Sequence, residues 1–193
     1  MTSILKADTI QDTDGNNIIN ENSNTITIGA SGDTTNIIGT LQNNGSAVGG
    51  VNTPAFHAYR SGNQSIANAT YTDVIYNVEY FDTASAFDTS TGAFTVPSGQ
   101  AGKYLLTFNV RRWNWHSDRF IGTLEINGSD RLYVEDAADA SANFGSASAA
   151  MIFDLSAGDV VKVQIYHNNG SSQNIEGASN QGSNFFTGMK IIE

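Results

Sequence analysis

The most regular hydrophobic pattern in the chain begins at residue 104. Large apolar side chains occupy every second position there: Tyr104, Leu106, Phe108 and Val110. The opposite parity carries Thr107, Asn109 and Arg111. Successive side chains of a β-strand point to opposite faces, so this pattern predicts a strand with one continuous apolar face. We expect a second sheet to cover that face.

The segment before this strand predicts a change of sheet. A short strand at 94–95 is followed by Pro97, Gly99 and Gly102. Proline cannot donate a hydrogen bond to a neighbouring strand, and glycine adopts backbone angles that other residues avoid. The chain is therefore expected to leave one sheet at this corner and to enter another.

Short alternating segments continue to the end of the chain, and no helical period lasts more than two turns. The predicted strands cover 55–60, 72–78, 94–95, 104–111, 119–126, 131–134, 147–155, 160–166 and 185–192. Turn dipeptides such as Asn127-Gly128 and Gly158-Asp159 separate them. Many short strands at this spacing predict an all-β sandwich or jelly roll.

One run in this region also resembles a family signature. The residues that carry the resemblance are Phe87, Asp88, Thr91, Gly92, Phe94, Pro97, Gly102 and Tyr104. Segments 54–59, 155–163 and 186–191 match the family's first and late strands in the right order. The pattern is similar to the globular head of complement component one-q, a relative of tumour necrosis factor. The resemblance covers about residues 53–193 and implies a ten-stranded jelly roll that assembles as a homotrimer.

The first fifty residues differ in composition and predict a separate segment. All aromatic residues of the chain follow position 50, whereas Ile18, Ile28 and Ile38 recur ten residues apart. Three short strands with so few large side chains cannot offset an ordering cost of roughly 1–2 kcal/mol per residue. Three chains together could pool the isoleucines. We therefore predict a β-rich trimeric stem over 1–50 and a head over 51–193, with a disordered leader as the alternative to the stem.

The charge of the chain argues against two classes of partner. Nineteen acidic and nine basic residues give a formal charge of −10. Phosphate backbones and anionic membranes attract clustered Lys and Arg, so nucleic acid and membrane insertion are not expected. Arg111, Arg112 and Arg119 could form a local basic patch, or could protect a sheet edge from aggregation. The chain has no cysteine and no long apolar run, which predicts neither disulfides nor secretion by a signal peptide.

A cluster of aromatic and polar residues predicts a recognition site. Trp113, Trp115 and His116 continue the strand out of phase with its apolar stripe, and Arg119 follows. Exposed aromatic rings stack on sugars while Asn, His and Arg add directional hydrogen bonds. A carbohydrate-binding surface is the functional hypothesis. The alternatives are tryptophans that pack against neighbouring protomers or are simply buried.

Other candidate sites give weaker signals. Residues 12–16 begin like a calcium loop but lack its later Gly and Glu, which predicts a turn. Glu135, Asp136 and Asp139 form an acidic loop that could hold calcium or simply be solvated. No histidine pair, nucleophile elbow or phosphate loop is present, and Asp88 is expected to cap a turn. We therefore predict no enzyme activity, no cofactor and no metal.

These observations lead to a hypothesis of adhesion. The opening segment 3–10 is similar to the start of many marine bacteriophage fibre-type proteins. We expect a trimeric tail fibre or receptor-binding protein on the virion, made in the host cytoplasm. Residues 1–50 would bind other virion proteins, and the head would bind host surface glycans. The alternative is a capsid or neck decoration protein, and a polysaccharide-degrading enzyme is a third class.

Overall fold

The chain is described by a computed structural model that divides it into two compact units, Met1–Gly50 and Val51–Glu193. The structure describes residues 9–11, 13, 17–22, 25–28, 31–39, 41–43, 46–47, 52–113, 119–136, 144–177 and 182–191. No helix among these residues is long and apolar enough to cross a lipid bilayer.

The N-terminal unit contains short antiparallel strands. They are β1 (Thr9–Gln11), β2 (Asn17–Asn22), β3 (Thr25–Ile28), β4 (Gln42–Asn43) and β5 (Ser46–Ala47). The first three form one sheet in the order β1-β2-β3, and β4 pairs with β5. Two of the three strands expected around the repeated isoleucines are present, since Ile18 lies in β2 and Ile28 in β3. Ile38 lies outside any strand and its side chain is 96% exposed.

The described residues of the head form strands β6 to β18. The first seven are β6 (Ala55–Tyr59), β7 (Gln64–Ile66), β8 (Thr72–Asp73), β9 (Val78–Asp82), β10 (Phe87–Asp88), β11 (Ala93–Thr95) and β12 (Gly102–Trp113). The others are β13 (Phe120–Ile126), β14 (Ser129–Asp136), β15 (Phe144–Leu155), β16 (Val160–His167), β17 (Gln173–Ile175) and β18 (Phe185–Lys190). The prediction of an all-β head is therefore confirmed.

These strands build two sheets. The first has the order β10-β11-β16-β13-β14, and β8 also pairs with β16. The second runs β9-β6-β18-β12, and β15 pairs with the other edge of β12 along its whole length. Beyond the end of β18, β17 pairs with β12 at Arg112, and β7 pairs with β17. Every pairing is antiparallel.

The core lies between the two sheets and follows the alternation seen in the sequence. Tyr104, Leu106, Phe108 and Val110 of β12 are all at most 1% exposed. Buried residues of the first sheet complete this core, among them Phe94, Phe120, Leu124, Val163 and Ile165. The ring of Phe56 stacks 4.6 Å from that of Phe94 and meets the ring of Phe186 edge-on at 4.9 Å. Such aromatic pairs add stabilisation beyond the area they bury.

The predicted corner is confirmed. Strand β11 belongs to the first sheet and β12 to the second, with Pro97, Gly99 and Gly102 between them or at the start of β12. Gly99 and Gly102 have φ angles of +74° and +141°, which disfavour any residue with a Cβ. The corner therefore depends on backbone freedom that the sequence displays directly.

Asp88 caps the turn before this corner, as expected. Its carboxylate accepts hydrogen bonds from the Ser90 N–H at 2.8 Å, the Ser90 hydroxyl at 2.6 Å and the Thr91 hydroxyl at 2.9 Å. The Ser90 and Thr91 donors lower the pKa of Asp88. All of these contacts are local to one turn, which gives this carboxylate a structural role.

The predicted strand over 72–78 is interrupted. The prediction is wrong for residues 74–77, which lie between β8 and β9. Strand β8 ends and β9 begins on either side of a stretch without strand pairing. There the Ile75 N–H donates to the side chain of Gln64 at 2.9 Å, and the Ile75 carbonyl accepts from Arg60 at 3.1 Å. Side chains thus replace a neighbouring strand, which an alternating sequence pattern does not reveal.

Replacement of Gly92 by Ala is expected to destabilise the head more than the same change at Gly99. Both glycines have φ near +70°, a conformation that costs an alanine about 1–2 kcal/mol. At Gly92 the added Cβ would also overlap the carbonyl oxygen of Val74, whereas nothing lies within 4 Å at Gly99. We expect a loss of about 2–5 kcal/mol for G92A and about 1–2 kcal/mol for G99A.

Urea unfolding of the two variants beside the parent chain measures this difference. Equal losses would show that the turn relieves the overlap between the added Cβ and the Val74 carbonyl at little cost.

Candidate functional site

The structure places the two described members of the predicted recognition site in different sheets. Trp113 ends β12 in the second sheet, and Arg119 directly precedes β13 in the first sheet. Trp115 and His116 lie outside the described residues.

Trp113 lines a cleft beside β17. The side chain is 49% exposed, on the parity opposite to the apolar stripe of β12. The cleft has a volume of about 450 Å³, within the range of about 300–1,000 Å³ common for small-molecule sites. Its lining residues are Asn63, Trp113, Gln173, Asn174, Ile175, Glu176 and Gly177. Except for the tryptophan, none of them was singled out from the sequence.

An ion pair orients the aromatic wall of this cleft. The guanidinium carbon of Arg111 lies 4.7 Å from the centre of the Trp113 ring, a cation–π arrangement. A guanidinium nitrogen of Arg111 also lies 3.4 Å from a carboxylate oxygen of Glu176. The tryptophan is thus positioned by a cation that already has a carboxylate partner.

Amide side chains form the polar part of the cleft. The side-chain oxygen of Asn63 accepts from the Gly177 N–H at 2.9 Å, which ties the loop after β6 to the loop after β17. The Gln173 amide donates to Asn169 at 2.6 Å and to the Ser171 hydroxyl at 3.1 Å. These bonds hold the lining in place before any ligand arrives.

Arg119 lies on the first sheet in a cluster of tyrosines. It donates to Glu135 at 2.7 Å and to the Tyr133 hydroxyl at 2.7 Å, and it lies 5.8 Å over the ring of Tyr166. The hydrogen bond with Glu135 raises the pKa of Arg119 and lowers that of Glu135. Burial, followed by a hydrogen bond with Tyr133, raises the pKa of Tyr71 to about 12. Arg119 is therefore charge-compensated on this surface.

The three arginines do not form a basic patch. Arg111 is beside Glu176, Arg119 is beside Glu135, and the fully buried Arg112 lies 3.8 Å from Asp136. The interpretation as edge-strand charge is also wrong, because β12 and β13 both have partners on each side. Each cation instead has a carboxylate from a different segment of the chain.

The acidic loop provides no calcium site in the part that the structure describes. Glu135 and Asp136 face arginines, and Asp139 lies outside the described residues. No group of three His, Asp or Glu residues that could hold a metal occurs among the described residues.

The outer face of the second sheet exposes several large apolar side chains. Ile152 of β15 is 54% exposed, Met189 of β18 is 37% exposed, and Phe81 of β9 is 43% exposed. A shallow groove of about 540 Å³ crosses this face between β12, β15 and Phe185. Met151, next to Ile152, is also exposed, so β15 shows apolar side chains on both of its faces. Exposed apolar side chains that gather on one face are typical of interaction sites.

His57 lies on the same outer face within a group of aromatic rings. Its ring centre is 5.9 Å from that of Phe185, 5.9 Å from that of Tyr80 and 6.3 Å from that of Phe81. Its Nε2 is buried and has no hydrogen-bond partner among the described residues. Burial lowers the pKa of His57 below its ordinary value, since the imidazolium form would lose its hydration there.

The two facing antiparallel sheets make the head a jelly-roll module. The C1q domain model matches residues 55–189, and the chain belongs to the C1q domain family. No curated protein matches the chain in the corresponding comparison.

Solved structures share this fold at low sequence identity. The globular domain of the zebrafish complement 1qA protein is 19% identical, with a TM-score of 0.55 over 73% of this chain and 99% of that one. The Eiger TNF of S. frugiperda is 15% identical, with a TM-score of 0.57 over 72% and 92%. The PRD1 vertex protein P5 is 20% identical, with a TM-score of 0.54 over 74% and 100%. These likenesses concern the fold.

Acid is expected to destabilise the head through His57. The unfolded imidazole takes up a proton near pH 6.5, whereas the folded one does so only at lower pH. The unfolded state therefore binds more protons in that window, and stability falls as the pH drops from about 7 towards 5. Thermal melts of the parent chain and of H57F, each at pH 5 and pH 7.5, measure the effect.

The loss between the two pH values should be smaller in H57F, since the aromatic substitute cannot be protonated. All other titratable groups are the same in both chains and cancel in the comparison. An identical pH dependence of the two chains would contradict this role of His57.

Proposed function

We propose that this protein is a homotrimeric structural protein of a bacteriophage particle, a tail fibre or receptor-binding adhesin that presents its C1q-type head to glycans on the host surface. Residues 1–50 form the stem and bind other virion proteins. The observation that carries the proposal is the exposed apolar outer face of the second sheet.

Self-association explains why this face is apolar. Ile152, Met189 and Phe81 would otherwise remain in water on one side of a well-packed head. A closed ring of identical subunits buries the same face in every copy and leaves no unsatisfied surface. The resemblance to a family whose heads assemble as trimers supports three subunits as the closed form.

The N-terminal unit supports the same arrangement. Ile26, Ile28 and Ile38 are 68%, 55% and 96% exposed, so the described part of this unit leaves large apolar side chains in water. Three parallel copies would bring these side chains together along one axis. The stem would then gain from trimerisation the core that one chain lacks.

Adhesion requires no chemical step at the head. Three identical sites on one particle raise the effective concentration of each site once the first has bound. Weak contacts with sugars then add up to durable attachment. The Trp113 cleft is the surface we assign to that contact, with Trp115, His116 and Arg119 as further candidates from the sequence.

Two observations support the proposal that the protein belongs to a virus particle. The start of the chain is similar to fibre-type proteins of marine phages, and the head shares its fold with the vertex protein P5 of phage PRD1. A vertex lies on the capsid, so this fold likeness favours the second candidate function, a capsid or neck decoration protein. The two functions share the trimer and differ in the place of the protein on the particle.

The native assembly is expected to have three times the 20.5 kDa mass of one chain. Light scattering of the purified protein measures this mass. I152E should shift the assembly towards the monomer, because a carboxylate on the outer face would lose its hydration in the interface.

The matched control is S129E, which adds the same charge at an exposed position of β14 in the other sheet. A monomeric parent chain, or equal effects of the two substitutions, would contradict the trimer.

Antibodies against the head are expected to label intact particles from the source culture at the tail or baseplate. Immunogold electron microscopy shows the position directly. Label over the capsid would favour the decoration protein, and the absence of label from all particles would contradict a virion protein. Particles made with a chain that lacks residues 1–50 should lose the label, since the stem provides the attachment.

A further inference from the structure

We infer that the Trp113 cleft binds an uncharged saccharide, and that the Arg111–Glu176 pair excludes acidic sugars from it. This inference rests on the proposed adhesion and adds the class of ligand and the residues that select it. It is carried by the aromatic wall, the paired charges and the amide lining of one cleft.

The aromatic wall provides a stacking surface for a sugar ring. Trp113 is half exposed, and the Arg111 guanidinium lies over its ring at 4.7 Å. This contact limits the rotation of the indole, so less entropy is lost when a ligand stacks on the remaining exposed surface. The apolar faces of pyranose rings suit such a surface, since they present C–H groups to the electron-rich ring.

The charges of the cleft favour a neutral ligand. Arg111 is the cation at the wall, and Glu176 lies 3.4 Å from it. The formal charges of these two side chains cancel, so a sulfate or carboxylate would compete with Glu176 for the guanidinium. The anionic group of such a ligand would also be repelled by the Glu176 carboxylate, because like charges close together near a protein surface interact strongly.

The amide groups of the cleft match the hydroxyl groups of a sugar. Asn63, Gln173 and Asn174 line the cleft with amide groups, which can donate and accept hydrogen bonds and carry no net charge. Asn63 and Gln173 are already held by the hydrogen bonds described above, which fixes the geometry of the lining. A volume of about 450 Å³ accommodates a small saccharide rather than a long chain.

The test uses the full-length protein on an array of neutral hexose and N-acetylhexosamine oligosaccharides, printed beside their sulfated and uronic-acid counterparts. We expect binding to neutral members and at least about tenfold weaker binding to the acidic counterparts. Calorimetric titration with the best neutral oligosaccharide then gives the affinity. W113A should weaken it on the order of tenfold or more, because the stacking surface is lost.

The sharper variant is E176Q, which keeps the shape of the side chain and removes its charge. Arg111 then loses its carboxylate partner, so acidic oligosaccharides should gain on the order of tenfold while neutral ones change little. The control is E125Q, which makes the same charge change within β13 of the first sheet, at a side chain that accepts a hydrogen bond from the Gly128 N–H. It should leave both classes of ligand unaffected.

Any one of three results would overturn the inference. The parent chain could prefer acidic sugars, it could bind no member of the array, or E176Q could fail to improve the binding of acidic sugars. The proposed function fails by different measurements, namely a monomeric mass or the absence of the protein from particles. A trimer on the tail that binds no sugar would therefore refute the ligand class and leave the virion role intact.

Discussion

The two-sided pairing of β12 is the constraint on which the rest of the head depends. Strand β15 pairs with one edge along its whole length, and β18 and β17 share the other edge. The strand is therefore fixed in register on both sides, and its side chains can only point inwards or outwards. One parity builds the core against the first sheet, and the other places Thr107 and Asn109 on the outer face and Trp113 at the wall of the cleft.

The cleft lies at the end of β12, where pairing with β18 stops at Asn109 and β17 pairs with Arg112 instead. There the loops after β6 and β17 meet across the Asn63 to Gly177 hydrogen bond, and polar side chains surround the end of β12. Arg111 places its charge over Trp113 and beside Glu176. A central strand thus ends in a polar, charge-balanced pocket. The proposed assembly surface and the proposed recognition surface then lie on different parts of one head.

Much of the fold was predictable because it depends on local rules. The stripe from Tyr104 to Val110 and the glycines of the corner each encode a strand face or a backbone conformation within a few residues. The interruption after β8 was not predictable, because the Gln64 side chain that satisfies Ile75 lies eleven residues away. The grouping of Trp113 with Arg119 rested on their closeness in sequence, whereas the fold places Trp113 in the second sheet and Arg119 directly before β13 of the first.

The sequence by itself determined an all-β head, its change of sheet at Pro97, and the capping role of Asp88. It also identified Trp113 as an aromatic residue outside the core stripe. Only the tertiary structure placed Glu176 beside Arg111 and Asn63 beside Gly177, since these pairs come from distant segments. Strand alternation is a property of neighbours in the chain, whereas charge pairing and cleft geometry depend on which strands become neighbours in space.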